Sequence, residues 1–141
     1  MENHWLIYAL ASAVFAGLTT IFAKIGVAHI PSNIATLIRT VVIALFLTLL
    51  VFIRREWTQT FLLDKRALIF LIFSGLTTGL SWMCYFRALQ LGPASLVAPI
   101  DKLSLLVAVF CAVLFLHEHL GWLQWTGIIL MSCGALLVVL K

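Results

Sequence analysis

Apolar residues run along this chain in long unbroken stretches and hardly ever alternate with polar ones. Five stretches, at about 5–28, 34–53, 67–91, 94–116 and 122–140, each hold roughly 19 to 25 residues with few charges, and about 20 are needed to span a bilayer core as a helix. Barrel strands are half that length and alternate, so helices are the predicted form. The breaks between stretches are short: His29-Ile30-Pro31-Ser32-Asn33, with a serine and an asparagine suited to starting a helix, Gly92-Pro93, and His117-Glu118-His119-Leu120-Gly121. Connections of this length make neighbouring helices antiparallel hairpins. Only the break at 54–66 is longer, and it carries Arg54, Arg55, Glu56, Asp64, Lys65 and Arg66. The expected fold class is an all-α membrane protein with five transmembrane helices in a single domain over residues 1–141.

Composition agrees with the pattern. Of 141 residues, 64% are hydrophobic and 10% charged, outside the range of soluble globular domains. Met1-Glu2-Asn3-His4 lacks the basic cluster of an export signal, so the first helix is expected to remain. The net charge of +4 does not imply nucleic acid, because four basic residues lie inside apolar stretches and four more in one loop, which leaves no exposed basic face. Cys84, Cys111 and Cys133 have no metal-ligand or redox spacing and read as small packing residues. His117-Glu118-His119 reads as a solvated turn, since residues one and two apart point in different directions. With no Ser/His/Asp or paired-carboxylate arrangement either, no enzyme, catalytic residue, cofactor or metal site is expected.

Charge also orients the chain. The connections at 54–66 and 117–121 share a side with the N-terminus and hold Arg54, Arg55, Lys65 and Arg66, against Lys141 outside the stretches on the other side. Excess basic residues stay cytoplasmic, so a cell (inner) membrane protein with its N-terminus inside and its C-terminus outside is expected. Trp5, Trp57, Trp122 and Trp125 then fall near the cytoplasmic boundary, where indole rings settle.

The candidate chemistry lies in the charges that interrupt the apolar runs. Counted from the outer helix ends at about 1.5 Å per residue, Lys24, Arg39 and Arg87 lie roughly 6 to 8 Å deep, and Asp101 and Lys102 roughly 11 to 12 Å. A charge there is unfavourable by about 2 to 3 kcal/mol unless paired, hydrated or able to snorkel. The lysine and arginines near the rim can snorkel, whereas Asp101 is too short. Adjacent helical residues point about 100° apart, so Asp101 and Lys102 are expected to face different neighbours. Asp101 shares a small-residue face with Ala98, Ser104 and Ala108, and Lys24 one with Gly17 and Thr20, which would bring Lys24 near Asp101. Either a substrate or coupling site or a structural ion pair fits that layer. Pro99 removes a backbone donor and predicts a kink or opened turn beside it. Trp82 and Tyr85, with Phe86, could line a pocket, and the Gly75/Gly79 step reads chiefly as a helix contact. Phe15-Ala16-Gly17-Leu18-Thr19-Thr20 is echoed by Phe73-Ser74-Gly75-Leu76-Thr77-Thr78.

The run Tyr85-Phe86-Arg87-Ala88-Leu89-Gln90-Leu91-Gly92-Pro93-Ala94-Ser95-Leu96-Val97-Ala98-Pro99-Ile100, then Leu116-His117-Glu118-His119-Leu120 and Gln124-Trp125-Thr126-Gly127-Ile128, resembles the EamA domain of the drug/metabolite transporter superfamily. Ala23-Lys24 and Ala35-Thr36-Leu37-Ile38-Arg39 agree with it, and the resemblance covers nearly the whole chain. It departs at His117, where many members have glycine before the glutamate. Most members have ten helices in two oppositely oriented halves around a substrate cavity, and this chain resembles one half. The resemblance therefore implies a dimer, either of two copies or with a second five-helix chain. Inverted pairing of two copies conflicts with a four-to-one charge bias, which leaves an oppositely biased partner, a parallel homodimer or partial inverted insertion.

The function expected is secondary active transport of a small polar or anionic, amino-acid-like metabolite. Lys24, Arg39, Arg87 and Lys102 outnumber Asp101 in the layer, which suits a carboxylate or phosphate. The alternatives are a flippase for a lipid-linked phosphate or sugar and a non-transporting membrane subunit whose charges fix helix packing. Partners beyond the substrate are membrane lipids and the second chain.

Overall fold

The computed structural model describes residues 4–56 and 64–140, which leaves Trp57 and Lys141 outside the described residues. Helices account for nearly all of it: α1 (His4–Gly26), α2 (Ser32–Ile53), α3 (Lys65–Leu91), α4 (Ala94–Asp101), α5 (Ser104–Phe115) and α6 (Trp122–Leu137), and no strand occurs among the described residues. Four helical spans are long and apolar enough to cross a membrane, with α4 and α5 together forming the fourth, Ala94–Phe115. The fifth apolar stretch makes the shorter α6, 16 residues that rise about 24 Å before the chain turns at Val138. The chain is thus the all-α, multi-pass membrane protein that its apolar runs describe.

Several boundaries differ from the sequence reading for local reasons. Helix α2 starts one residue earlier than a serine cap would have it. Pro31 occupies the cap position without a side-chain bond, and Ser32 is already helical. The Ala35 N–H donates to the Pro31 carbonyl, while the Ser32 carbonyl accepts from the Thr36 hydroxyl. At the start of α6 the Gln124 side chain reaches back to accept from the Gly121 N–H at 2.6 Å, which satisfies one of the orphan donors of a helix start.

The fourth span is interrupted. Helix α4 runs through Pro99 and ends at Asp101, and the chain crosses Lys102 and Leu103 as a turn before α5 begins. Four i→i+3 contacts mark the tightening, two on each side of Ser104: the N–H groups of Lys102, Leu103, Leu105 and Leu106 donate to the carbonyls of Pro99, Ile100, Lys102 and Leu103 at 3.0 to 3.1 Å. The opened turn expected beside Pro99 therefore lies after the proline.

By its contacts the chain divides into two compact units. Ile21–Gln90 contains the end of α1 with α2 and α3, and Met1–Thr20 with Leu91–Lys141 contains the start of α1 with α4, α5 and α6. In the second of these, α6 packs against α4 and α5. In the first, Val27, Phe86 and Leu89 are buried, and they are the buried apolar residues among those described. A polar clasp surrounds them. The Gln90 amide donates to the carbonyls of Val27 and Ile30 at 3.2 and 2.7 Å, and the Lys24 ammonium donates to the Leu89 carbonyl. Carbonyls past the last turn of α1 and within the last turn of α3 lack intrahelical donors, so side chains supply them.

Candidate functional site

Between α2 and α3, wholly inside the Ile21–Gln90 unit, lies a cavity of about 500 Å³. Thr36, Arg39 and Thr40 of α2 line it, with Ser74, Thr78 and Trp82 of α3. Ile43 and Leu71 form its apolar end, so along α3 it extends from Trp82 to Leu71, about 16 Å. Gly75 and Gly79 form its α3 wall, and a Cβ at either would meet nothing within 4 Å. The expectation that these glycines serve a close helix contact is corrected: they leave space.

Arg39 is the charge in this cavity. Its guanidinium carbon sits 3.2 Å from the centroid of the Trp82 ring and 5.9 Å from that of Phe86. Trp82 is itself held edge-on by Tyr85 and by the buried Phe86, with centroids 5.5 and 5.4 Å away and planes at 79° and 82°. Such T-shaped contacts fix a ring's orientation, and a guanidinium over an indole is a favourable cation–π arrangement. A charge that would be unfavourable in an apolar span thus rests on an aromatic platform.

The other predicted residues fall elsewhere. Arg87 donates to Gln90 at 3.1 Å and Lys24 to the Leu89 carbonyl, so both belong to the clasp at the end of α3. Asp101 and Lys102, at the turn between α4 and α5, pair with each other at 3.5 Å. This overturns the expectation that neighbours 100° apart cannot pair. The long lysine stem folds back to the carboxylate, and both side chains stay substantially exposed. Lys24 and Asp101 each have a partner within their own unit. Pro99 lies inside α4, two residues before that pair.

The hydroxyls of the cavity went unnoticed in the sequence. Thr36 donates to the Ser32 carbonyl at 2.8 Å, Thr40 to Thr36 at 2.8 Å and Thr78 to Ser74 at 2.7 Å. The only available signal was the i, i+4 spacing of Thr36 and Thr40 beside Arg39, and of Ser74 and Thr78 on α3.

Comparison with known proteins agrees with the membrane fold. The EamA-like transporter family matches residues 3–140. A Sinorhizobium protein named "Uncharacterized transporter in cobO 3'region" is 48% identical over 138 residues, 98% of each chain. An uncharacterized protein of Methanocaldococcus jannaschii is 30% identical over 133 residues, 94% of each chain. No solved structure matches. A helical chain with spans of bilayer length, matched from end to end by that family and by a protein named as a transporter, belongs to the EamA-like transporter family.

Proposed function

We propose that the protein moves a small polar or anionic, amino-acid-like metabolite across the cell membrane by secondary active alternating access, and that it works as a dimer with its N-terminus cytoplasmic. The observation that carries this reading is the cavity within the α2–α3 layer, polar where Arg39 and the threonines line it and large enough for a small solute. A guanidinium in that position favours solutes with a carboxylate or phosphate and disfavours lipophilic cations. The interrupted α4–α5 span, with Asp101 and Lys102 at the break, gives the bundle the discontinuous helix on which transporters build coupling sites and moving parts. The relatives match over nearly their whole lengths and so are of this chain's size, which supports assembly of two such chains around one path.

A second reading, movement of a lipid-linked phosphate, is favoured by one feature: Arg87 is exposed near the outer end of α3, within reach of lipid headgroups.

Uptake by proteoliposomes tests both. Saturable, gradient-driven accumulation of labelled amino or hydroxy carboxylates supports the first reading, and lipid phosphate retained on purification and lost in Arg87→Gln supports the second. Unchanged transport in both Lys24→Gln and Asp101→Asn takes those two residues out of the mechanism.

A further inference from the structure

Resting on the transport reading, we infer that the ion that drives transport is a proton and that Asp101 and Lys102 are its switch: the Asp101 carboxylate takes up and releases the proton, and Lys102 is the counter-charge it holds when ionised.

Position singles out Asp101. Of the five acidic residues, Glu2, Glu56, Asp64 and Glu118 lie outside the spans of membrane length, and so do His4, His29, His117 and His119. Among the described residues Asp101 is therefore the one carboxylate inside a span, seven residues and about 10 Å from the start of Ala94–Phe115. Carboxylates and histidines are the usual proton carriers of pumps and transporters. Lys24 and Arg87 are engaged in the clasp and Arg39 on Trp82, whereas the Lys102 ammonium stands 3.5 Å from the Asp101 carboxylate. The helix packed against α4 and α5, α6, brings no charge to the pair; its one titratable side chain is Cys133, and that of α5 is Cys111. The ionisation of Asp101 is thus governed by Lys102 and by water. Water has access, because the two side chains are 36% and 62% exposed in the chain and charges at that depth draw water in preference to hydrocarbon.

The broken helix provides for both protonation states. When Asp101 is ionised, its carboxylate and the partial negative charge at the C-terminal end of α4 both favour the ammonium of Lys102. When Asp101 is protonated, its new O–H needs an acceptor. An unbroken helix would send the Lys102 N–H to the Ala98 carbonyl; here it donates to Pro99 at 3.1 Å. The Ala98 carbonyl, one turn before Asp101, is thereby without its helical donor and suited to accept from the acid. Uptake of a proton forms an O–H bond at a carboxylate oxygen, ends the ion pair and raises the charge of the site from zero to one, while Lys102 keeps its own proton. The turn at Lys102 and Leu103 loses its side-chain tie in the same step, so protonation acts where the span is already interrupted. An alkali cation suits the break less well, because it needs several oxygens closed around it where a proton needs one, and Lys102 already stands at the carboxylate.

The experiment is transport by the full chain in proteoliposomes, with a labelled mixture of L-amino acids as probe, under a pH gradient of either sign, under a sodium gradient, and as exchange against unlabelled solute with no gradient. One pH unit drives at most about tenfold accumulation for one proton per solute, and the wild type is expected to approach that under one sign of the gradient. Asp101→Asn should lose the accumulation while exchange continues, a split that a merely structural aspartate would not produce. Asp101→Glu keeps a proton-binding group and should retain both, which guards against variants that simply misfold. Lys102→Gln should retain accumulation with its pH profile moved to higher pH, because the cation that favours the ionised carboxylate is gone. Infrared spectra of the full chain in nanodiscs give a reading without solute: acidification should raise a carboxylic-acid band that Asp101→Asn removes and that appears at higher pH in Lys102→Gln. Wild-type accumulation indifferent to the pH gradient or driven by sodium would overturn the switch, as would accumulation that persists in Asp101→Asn or exchange that is lost with it. If wild-type proteoliposomes take up none of the probe, the transport reading fails, and the infrared band and its response to Lys102→Gln decide whether the pair is a proton site.

Discussion

At the scale of single residues, charges in apolar runs were legible from the sequence and hydroxyls were not. Arg39 stands out because a guanidinium in a spanning stretch needs a reason. Thr36, Thr40 and Thr78 do not, because threonines that bond their own helix are ordinary in membrane spans, and only the placement of α2 against α3 gives these a cavity to face. His117 shows a sequence departure acquiring a physical meaning. It follows the end of α5 with φ 54°, in the left-handed region, while the Leu116 and Glu118 N–H groups both donate to the Ala112 carbonyl. Glycine enters that region freely and histidine does so at an energetic cost of about 1 kcal/mol, which accounts for the glycine that the family resemblance leads one to expect there. His117→Gly should therefore raise stability by about 1 kcal/mol. Thermal unfolding in detergent checks it, and an unchanged or lowered midpoint would mean that the imidazole contributes more than its backbone strain removes.

At the scale of elements, run length and hydropathy were enough to place α1, α2, α3 and the combined α4–α5 span to within a few residues, because a bilayer demands about 20 apolar residues whatever their packing. The interruption at Lys102 and Leu103 was anticipated in its layer but not in its position. A proline predicts disturbance in the turn before it, whereas this span tightens in the turn after it. The clasp of Lys24, Arg87 and Gln90 was legible only as isolated polar residues, since Lys24 and Gln90 donate to backbone carbonyls exposed by helix ends and Arg87 donates to the Gln90 side chain. It yields a prediction about how α1 and α3 stay joined. Gln90→Leu removes the donor to the Val27 and Ile30 carbonyls and leaves a part-buried acceptor unmet, at a cost of about 1 to 3 kcal/mol. Denaturant titration in mixed micelles should report that loss with helix content unchanged in the folded state. Gln90→Glu should be no better, because an ionised carboxylate can only accept.

At the scale of the whole molecule, the question that the sequence raised is how a five-helix chain forms a two-sided path. Most large apolar side chains of α1, α2 and α3 are exposed in the single chain, as expected where lipid or a second chain covers them. With α6 counted as a fifth crossing beside the four long spans, the expected number is odd and the termini fall on opposite sides; the basic residues Arg54, Arg55, Lys65 and Arg66 lie in one connection. Basic loop residues resist translocation, so that connection should stay in the cytoplasm and carry the N-terminus with it. A C-terminal alkaline phosphatase fusion should then be active and a C-terminal green fluorescent protein fusion dark. Replacing all four basic residues with glutamine removes the bias and should give substantial activity from both reporters, which shows that this loop sets the orientation. Strong signals from both reporters in the unaltered chain would instead mean that copies insert both ways, and an inverted homodimer would follow. A uniform orientation requires the second half of an inverted pair to come from a chain with the opposite bias, or the dimer to be parallel. Crosslinking cysteines placed at the two termini separates those cases: a parallel homodimer crosslinks C-terminus to C-terminus, and an inverted pair crosslinks only N-terminus to C-terminus.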